Sequence, residues 1–191
     1  VTESIFSMDG DETDLSALVQ LKKNYHKVML YVDEAHAFGV RGKQGLGCAE
    51  QYHVIDDIDF LVGTFGKALA SVGAYLICHS TMRSFLINRM RSLIFSTAQP
   101  PVTVAWSDFI FHKMRGLLAQ RQHLTQLGQK LQHEIRQKAY LCPSNSHIVP
   151  VIIGDSQSTV IKAKQIQQAG FYLMPVRPPT VPFGSSRLRI C

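Results

Sequence analysis

The chain has 191 residues, 46% hydrophobic and 18% charged, with 20 Lys+Arg against 14 Asp+Glu for a formal net charge of +6. That balance excludes a disordered chain and fits a core-forming protein of one large domain or one and a half small ones. The basic residues are scattered, with no run longer than Lys22-Lys23, so a nucleic-acid surface is not expected.

Cys48, Cys78, Cys142 and Cys191 are far apart and form no Cys-x-x-Cys pair. Free thiols in a reducing cytoplasm are the plain reading, and no zinc or redox site is expected. No apolar run approaches the ~20 residues that span a bilayer, and no basic-then-apolar leader opens the chain. A soluble cytoplasmic protein, away from membranes, is the expectation. Both ends, "VTESIF" and "SSRLRIC", read as strands cut short, so a fragment of a longer protein is expected.

Short apolar runs alternate with helical periodicity, which predicts an α/β fold. Val1 to Phe6 reads as a strand leading into a turn at Asp9-Gly10-Asp11. "DLSALVQLKKNY" spaces Leu15, Leu18, Val19 and Tyr25 for one side of a helix, with Asp14 as N-cap. "KVMLYV" is a buried strand of the parallel type ending at Asp33. A glycine-containing loop follows, then "IDFLVGTF" and "GAYLICH" as a second and a third buried strand.

"TMRSFLINRMRSLIF" is spaced as one helix. Beyond Pro100-Pro101 a long helical stretch runs from about Val102 to Lys138, weakened near Gly116 and Gly128. From Pro143 onward the pattern is strand, helix, strand, Pro-rich turn and strand, a compact α+β unit. A domain change is expected in or near the long helix, giving 1–105 and 106–191.

"LYVDEAHAFGV", residues 30–40, poses the functional question. Asp33-Glu34-Ala35-His36 spells the DEAH letters of an NTPase, where an Asp-Glu pair at a strand end serves Mg²⁺ and water. That reading needs a G-x-x-x-x-G-K-[ST] loop, and the Gly-Lys pairs here, Gly42-Lys43 and Gly66-Lys67, are followed by Gln and Ala. Alternatively, Asp33 and His36 can face one organic ligand across a turn.

The stretch "VGTFGKALASVGAY" favours the second option. Lys67 follows a buried strand and is flanked by Gly66, Ala68, Ala70 and Ser71, which leave room for a planar adduct on its ε-nitrogen. Desolvation there would favour the neutral amine needed for a Schiff base. If the two strands are parallel neighbours, their carboxyl ends bring Asp33 and Lys67 to one ligand crevice.

With "VDEAH", "GTFGKAL", "IFSTAQPP" and "RPPTVPFGSSRLRI" in that order, the chain resembles the α-oxoamine synthases. The resemblance covers nearly the whole sequence. It implies the aspartate-aminotransferase fold type (fold type I) of pyridoxal 5′-phosphate enzymes, here the C-terminal half of a large domain plus an incomplete α+β small domain. It also implies decarboxylating condensation of an amino acid with an acyl thioester, and "RPPTVP" leans toward L-alanine and a pimeloyl thioester. Glycine with acetyl-CoA is the alternative within the family.

Residue by residue, Lys67 matches the lysine that holds the cofactor and then acts as base. Asp33 matches the carboxylate on the ring nitrogen, and His36 the histidine near the ring oxygen. Ser7 and Thr64 match residues around the cofactor oxygen and phosphate. Ser96 and Thr97 match a pair reaching the phosphate of the other subunit, which implies a homodimer with shared sites. Arg189 matches the arginine that clamps the amino-acid carboxylate, a bidentate task for guanidinium. Arg187 lies on the same side of the strand and is the competing candidate. Arg177 and Glu3 fall in matching motifs with less defined roles.

Glu34 is expected to be the least important of the four DEAH letters, with Glu34→Gln mild and Asp33→Asn severe. His112, His123, His133 and His147 show no metal spacing. Gly42, Gly45 and Gly47 read as backbone shape rather than a dinucleotide fingerprint.

Overall fold

The computed structural model describes residues 1–191. Seven strands form two sheets, accompanied by seven α-helices. By compactness the chain divides into Val1–Ile5 with Thr13–Arg121, and Phe6–Glu12 with Gln122–Cys191. This division does not coincide with 1–105 and 106–191. The reason lies in a cluster of Phe38, Leu69 and Met114, which binds the helix after Pro100 into the first unit.

In the first unit, β1 (Thr2–Glu3), β2 (Tyr31–Asp33), β3 (Phe60–Thr64) and β4 (Ala74–Cys78) form one sheet in that order. β1, β2 and β3 are parallel neighbours, with Asp33 in register with Val62. The expected parallel pairing of the two central strands is therefore present. β4 runs antiparallel to β3 at one end of this strand order, and in this half-length chain Ile77 is 53% exposed where a buried strand was expected. Its apolar run looked buried because the letters alone do not say whether a second strand or layer covers it.

Helix α1 (Leu15–Asn24) begins where expected, with the Asp14 carboxylate accepting from Ala17 N at 2.9 Å. Its buried face presents Leu15 and Val19. Its polar end is tied down by Lys22, whose Nζ lies 2.7 Å from Asp59 Oδ2. The β2–β3 connection contains one four-residue helix, α2 (Cys48–Gln51), within a turn-rich loop.

The single helix expected over 81–95 is two, α3 (Ser80–Arg89) and α4 (Arg91–Ile94), because Met90 adopts an extended conformation. The break has no glycine or proline to announce it. The long helical stretch breaks where Gly116 suggested, between α5 (Pro101–Arg115) and α6 (Leu118–Gln137). Arg121 accounts for the break: its guanidinium donates to Met114 O at 2.6 Å, and also to the carbonyls of Gly42 and Lys43. At Met114 O it joins Leu117 N, which donates to the same carbonyl at 3.0 Å, so the break is held from two sides.

In the second unit, β5 (Val149–Gly154), β6 (Pro175–Val176) and β7 (Ser186–Ile190) make an antiparallel sheet with β7 central. α7 (Ser156–Gln168) starts at Asp155, whose carboxylate accepts from Ser158 N at 2.7 Å. Ala163, Leu173 and Leu188 form one core cluster, and Ile135, Cys142 and Val149 another. α6 continues through Gly128. A Cβ there would stand 3.2 Å from Ser146 O, so glycine permits a close approach to residues 146–147 instead of ending the helix.

Candidate functional site

Parallel pairing of β2 and β3 sets two strand ends side by side, and the chain emerging from each carries a polar group. After β2, Asp33 Oδ1 accepts from Ala35 N at 2.7 Å, closing a tight turn. The Glu34 carbonyl then accepts from Ala37 N at 2.9 Å and Phe38 N at 2.8 Å. This turn projects His36. After β3, Lys67 comes forward, and its Nζ lies 3.0 Å from His36 Nε2. A carboxylate, an imidazole and a primary amine thus meet at one sheet end, where α/β sheets bind ligands.

The Lys67 loop is closed by its own hydrogen bonds. Phe65 N donates to Gly73 O at 2.9 Å, Ser71 N to Phe65 O at 2.9 Å, and Ala70 N to Lys67 O at 2.9 Å. Thr64 Oγ accepts from Gly66 N at 3.0 Å and donates to Gly73 O at 3.1 Å. Helix α5 braces the loop from outside. Trp106 Nε1 donates to Ala70 O at 3.0 Å, and Ser107 Oγ meets Ser71 Oγ at 2.7 Å. Lys67 itself is exposed. The expected desolvation is therefore not supplied by these residues: Gly66, Ala68 and Ala70 leave space around the amine but place no wall over it.

Glu34, expected to be the least important of the four letters, is the most enclosed of them. It is fully buried, and its carboxylate accepts from Ser4 Oγ at 2.6 Å, Cys48 N at 3.0 Å and Ala49 N at 2.6 Å. Burial pushes its pKa up, against the lowering effect of those three hydrogen bonds. Both oxygens point into the protein. Glu34 cannot face a nucleotide-bound water, and the DEAH-type NTPase reading fails on this geometry.

Gly47 allows the arrangement. Its φ is +109°, and a Cβ there would stand 2.6 Å from Glu34 Cδ. Gly42 and Gly45 also take positive φ, as the shape reading expected. Tyr75, missed by the sequence reading, is half-buried beside this region. Burial and then the charges of Glu34 and Asp33 hold its phenol well above the ordinary tyrosine range. Only the alternation of β4 could have pointed to it.

Ser96 and Thr97 lie in the exposed segment between α4 and α5, where Ser96 Oγ donates to Leu93 O at 2.8 Å. Gln99 Nε2 fastens that segment to Val72 O at 3.1 Å.

The remaining candidates belong to the second unit. Ser7 sits in a turn whose carbonyl accepts from Arg189 Nε at 2.7 Å. Arg187, only 4% exposed, pairs with the Asp9 carboxylate and donates to Ser185 O at 3.0 Å. Both arginines leave the same side of β7, as alternation requires, and both reach the 7–9 turn. Arg177 is exposed in the loop after β6.

The amine, imidazole and carboxylate suit pyridoxal phosphate, which needs a lysine nitrogen and an acid partner for its ring nitrogen. No group of three or more His, Cys, Asp or Glu side chains is placed to hold a metal.

Comparison with known proteins agrees with this chemistry. The profile of the aminotransferase class I and II family matches residues 1–191. A Haemophilus influenzae (strain 86-028NP) protein that bears 8-amino-7-oxononanoate synthase as a provisional name is 55% identical over 190 residues, covering 100% of this chain and 50% of that protein. The chain therefore spans about half the length of this curated relative. Among solved structures, Sphingomonas wittichii serine palmitoyltransferase superposes with a TM-score of 0.90 at 32% identity, covering 99% of this chain and 48% of that one. An S. paucimobilis serine palmitoyltransferase with bound pyridoxal phosphate and myriocin gives 0.88 at 29%, with the same coverage.

Proposed function

The chain belongs to the aminotransferase class I and II family, and on that premise we propose that the full-length protein is a pyridoxal-phosphate-dependent C-acyltransferase joining L-alanine to a pimeloyl thioester. The product is 8-amino-7-oxononanoate. A bond forms between the alanine Cα and the thioester carbonyl carbon, the C–S bond breaks to release the thiol, and the carboxylate leaves as CO₂. The observation that carries this reading is Lys67 Nζ lying 3.0 Å from His36 Nε2 beside the strand end that bears Asp33.

When bound, pyridoxal phosphate supplies an electron sink for the carbanion at the amino-acid Cα. Lys67 Nζ would hold it and would take the Cα proton. Asp33 would hold the proton at the ring nitrogen, and His36 would serve the ring oxygen while orienting Lys67. Thr64 and Ser7 are assigned to the cofactor's oxygen and phosphate surroundings. Ser96 and Thr97 are assigned to the phosphate of a second subunit, so a homodimer in the cytoplasm is part of the proposal.

Arg189 is assigned the amino-acid carboxylate, because the Arg187 guanidinium is already committed to Asp9. Arg177 is assigned to substrate binding. What supports the substrate choice is the provisional name of the Haemophilus influenzae relative together with the "RPPTVP" segment.

The test adds pyridoxal phosphate to the full-length protein and records its visible spectrum with and without Lys67→Ala. A Lys67-dependent band that shifts with L-alanine is expected. Turnover of L-alanine plus pimeloyl thioester should exceed that of glycine plus acetyl-CoA; the reverse would move the assignment to a glycine C-acetyltransferase. ATP hydrolysis without any Lys67-dependent band would sink the reading.

A further inference from the structure

We propose that Glu34 is the positioning residue of the cofactor-facing turn, holding Asp33 and His36 in place by anchoring the end of β2 to Ser4 and to the backbone of Cys48 and Ala49. The inference rests on the reading above only in taking Asp33 and His36 to face the cofactor.

Glu34 is joined to its surroundings on every side. Its N–H donates to Val62 O at 2.7 Å, tying it to β3, and its carbonyl accepts the two N–H groups that close the His36 turn. One carboxylate oxygen accepts from Ser4 Oγ, just beyond β1, and from Cys48 N; the other accepts from Ala49 N. Three separate segments of the first unit therefore converge on the residue between Asp33 and Ala35. The carboxylate is acceptor-only, and both N–H partners are backbone donors that cannot reverse. A glutamine of the same size keeps one acceptor and turns an NH₂ group toward one of those donors. Two donors then face each other in a dry site, and the turn must shift to separate them.

This is an orienting role rather than a stabilising one alone, and a measurement can tell them apart. In the cofactor-free full-length protein, the imidazole resonances of His36 are recorded at one fixed pH for the native sequence, Glu34→Gln, Ser4→Ala and Val19→Ala. Val19→Ala is the control, since it thins the buried face of α1 and lowers stability while leaving every Glu34 hydrogen bond in place. Pyridoxal phosphate affinity is then measured for each variant from the Lys67-dependent visible band.

Glu34→Gln is expected to displace the His36 resonances and weaken cofactor affinity about tenfold or more, as loss of a supporting partner does in other preorganised sites. Ser4→Ala removes one of the hydrogen bonds and should move both readouts the same way by less. It also serves if the glutamine variant fails to fold. Val19→Ala should move neither. The proposal is overturned if the His36 resonances stay in place in Ser4→Ala and Glu34→Gln, or if Val19→Ala moves them as far. If the native protein gives no Lys67-dependent band, the enzyme reading fails, and the His36 comparison still decides this one.

Discussion

Lys67 Nζ and His36 Nε2 lie 3.0 Å apart, although each is delivered by a different loop after a different strand. At that separation the amine and the ring nitrogen share a hydrogen bond, so the imidazole orients the lysine. Under the proposed function, Lys67→Ala abolishes the visible cofactor band. His36→Asn retains the band and lowers kcat by about 10²-fold, in the range of a lost acid–base partner. Spectra and steady-state kinetics on the same preparations distinguish the two outcomes.

Asp33→Asn isolates charge from structure. The Ala35 N–H that Asp33 Oδ1 accepts can be accepted equally by an asparagine oxygen, so the turn survives. Thermal stability should stay within about 0.5 kcal/mol of the native protein. Under the proposed function, activity should fall by about 10²-fold or more, because the ring nitrogen would lose its anionic partner. An equal loss of stability and activity would show that Asp33 acts through the fold instead.

Arg187 and Arg189 separate by stability against binding. Arg187→Ala removes a buried guanidinium from Asp9 and from the Ser185 carbonyl, and should cost about 2 kcal/mol in denaturant unfolding. Arg189→Lys keeps a cation but gives up the planar fork. It should leave stability nearly unchanged and raise KM for the amino acid about tenfold. If Arg187→Lys raises that KM while Arg189→Lys does not, the two roles are exchanged.

The Lys22–Asp59 pair carries a pH dependence of defined sign. Burial pushes the Asp59 carboxyl up, but the hydrogen bond and charge of Lys22 and the Leu30 N–H outweigh it and leave its pKa lowered. The unfolded chain therefore takes up a proton before the native one as pH falls. The stabilisation is complete above the ordinary carboxylate range and is lost as pH drops through the lowered native value. Asp59→Asn should cost about 1 kcal/mol at neutral pH. Urea midpoints of the two proteins should converge toward acid, and added salt should narrow the gap.

Local signals in the chain foretold much of this protein. Asp14 before an apolar period marked the start of α1, and apolar runs ending at Asp33 and before Lys67 marked two strand ends. The order of motifs then identified an amine, an imidazole and a carboxylate as one constellation. These features are legible because caps, periodicity and motif spacing act over a few residues, and neighbouring letters state them.

Tertiary structure alone decided three other matters. It turned Glu34 inward to Ser4, Cys48 and Ala49, whereas strand position alone left its direction open. It engaged Arg187 with Asp9 and so separated it from Arg189, although both leave the same side of β7. It paired β4 antiparallel with β3, a direction that its apolar composition does not state. Ser4 lies 30 residues from Glu34 and Asp9 lies 178 from Arg187, so such burial and pairing arise only when the backbone folds back and brings distant residues within reach.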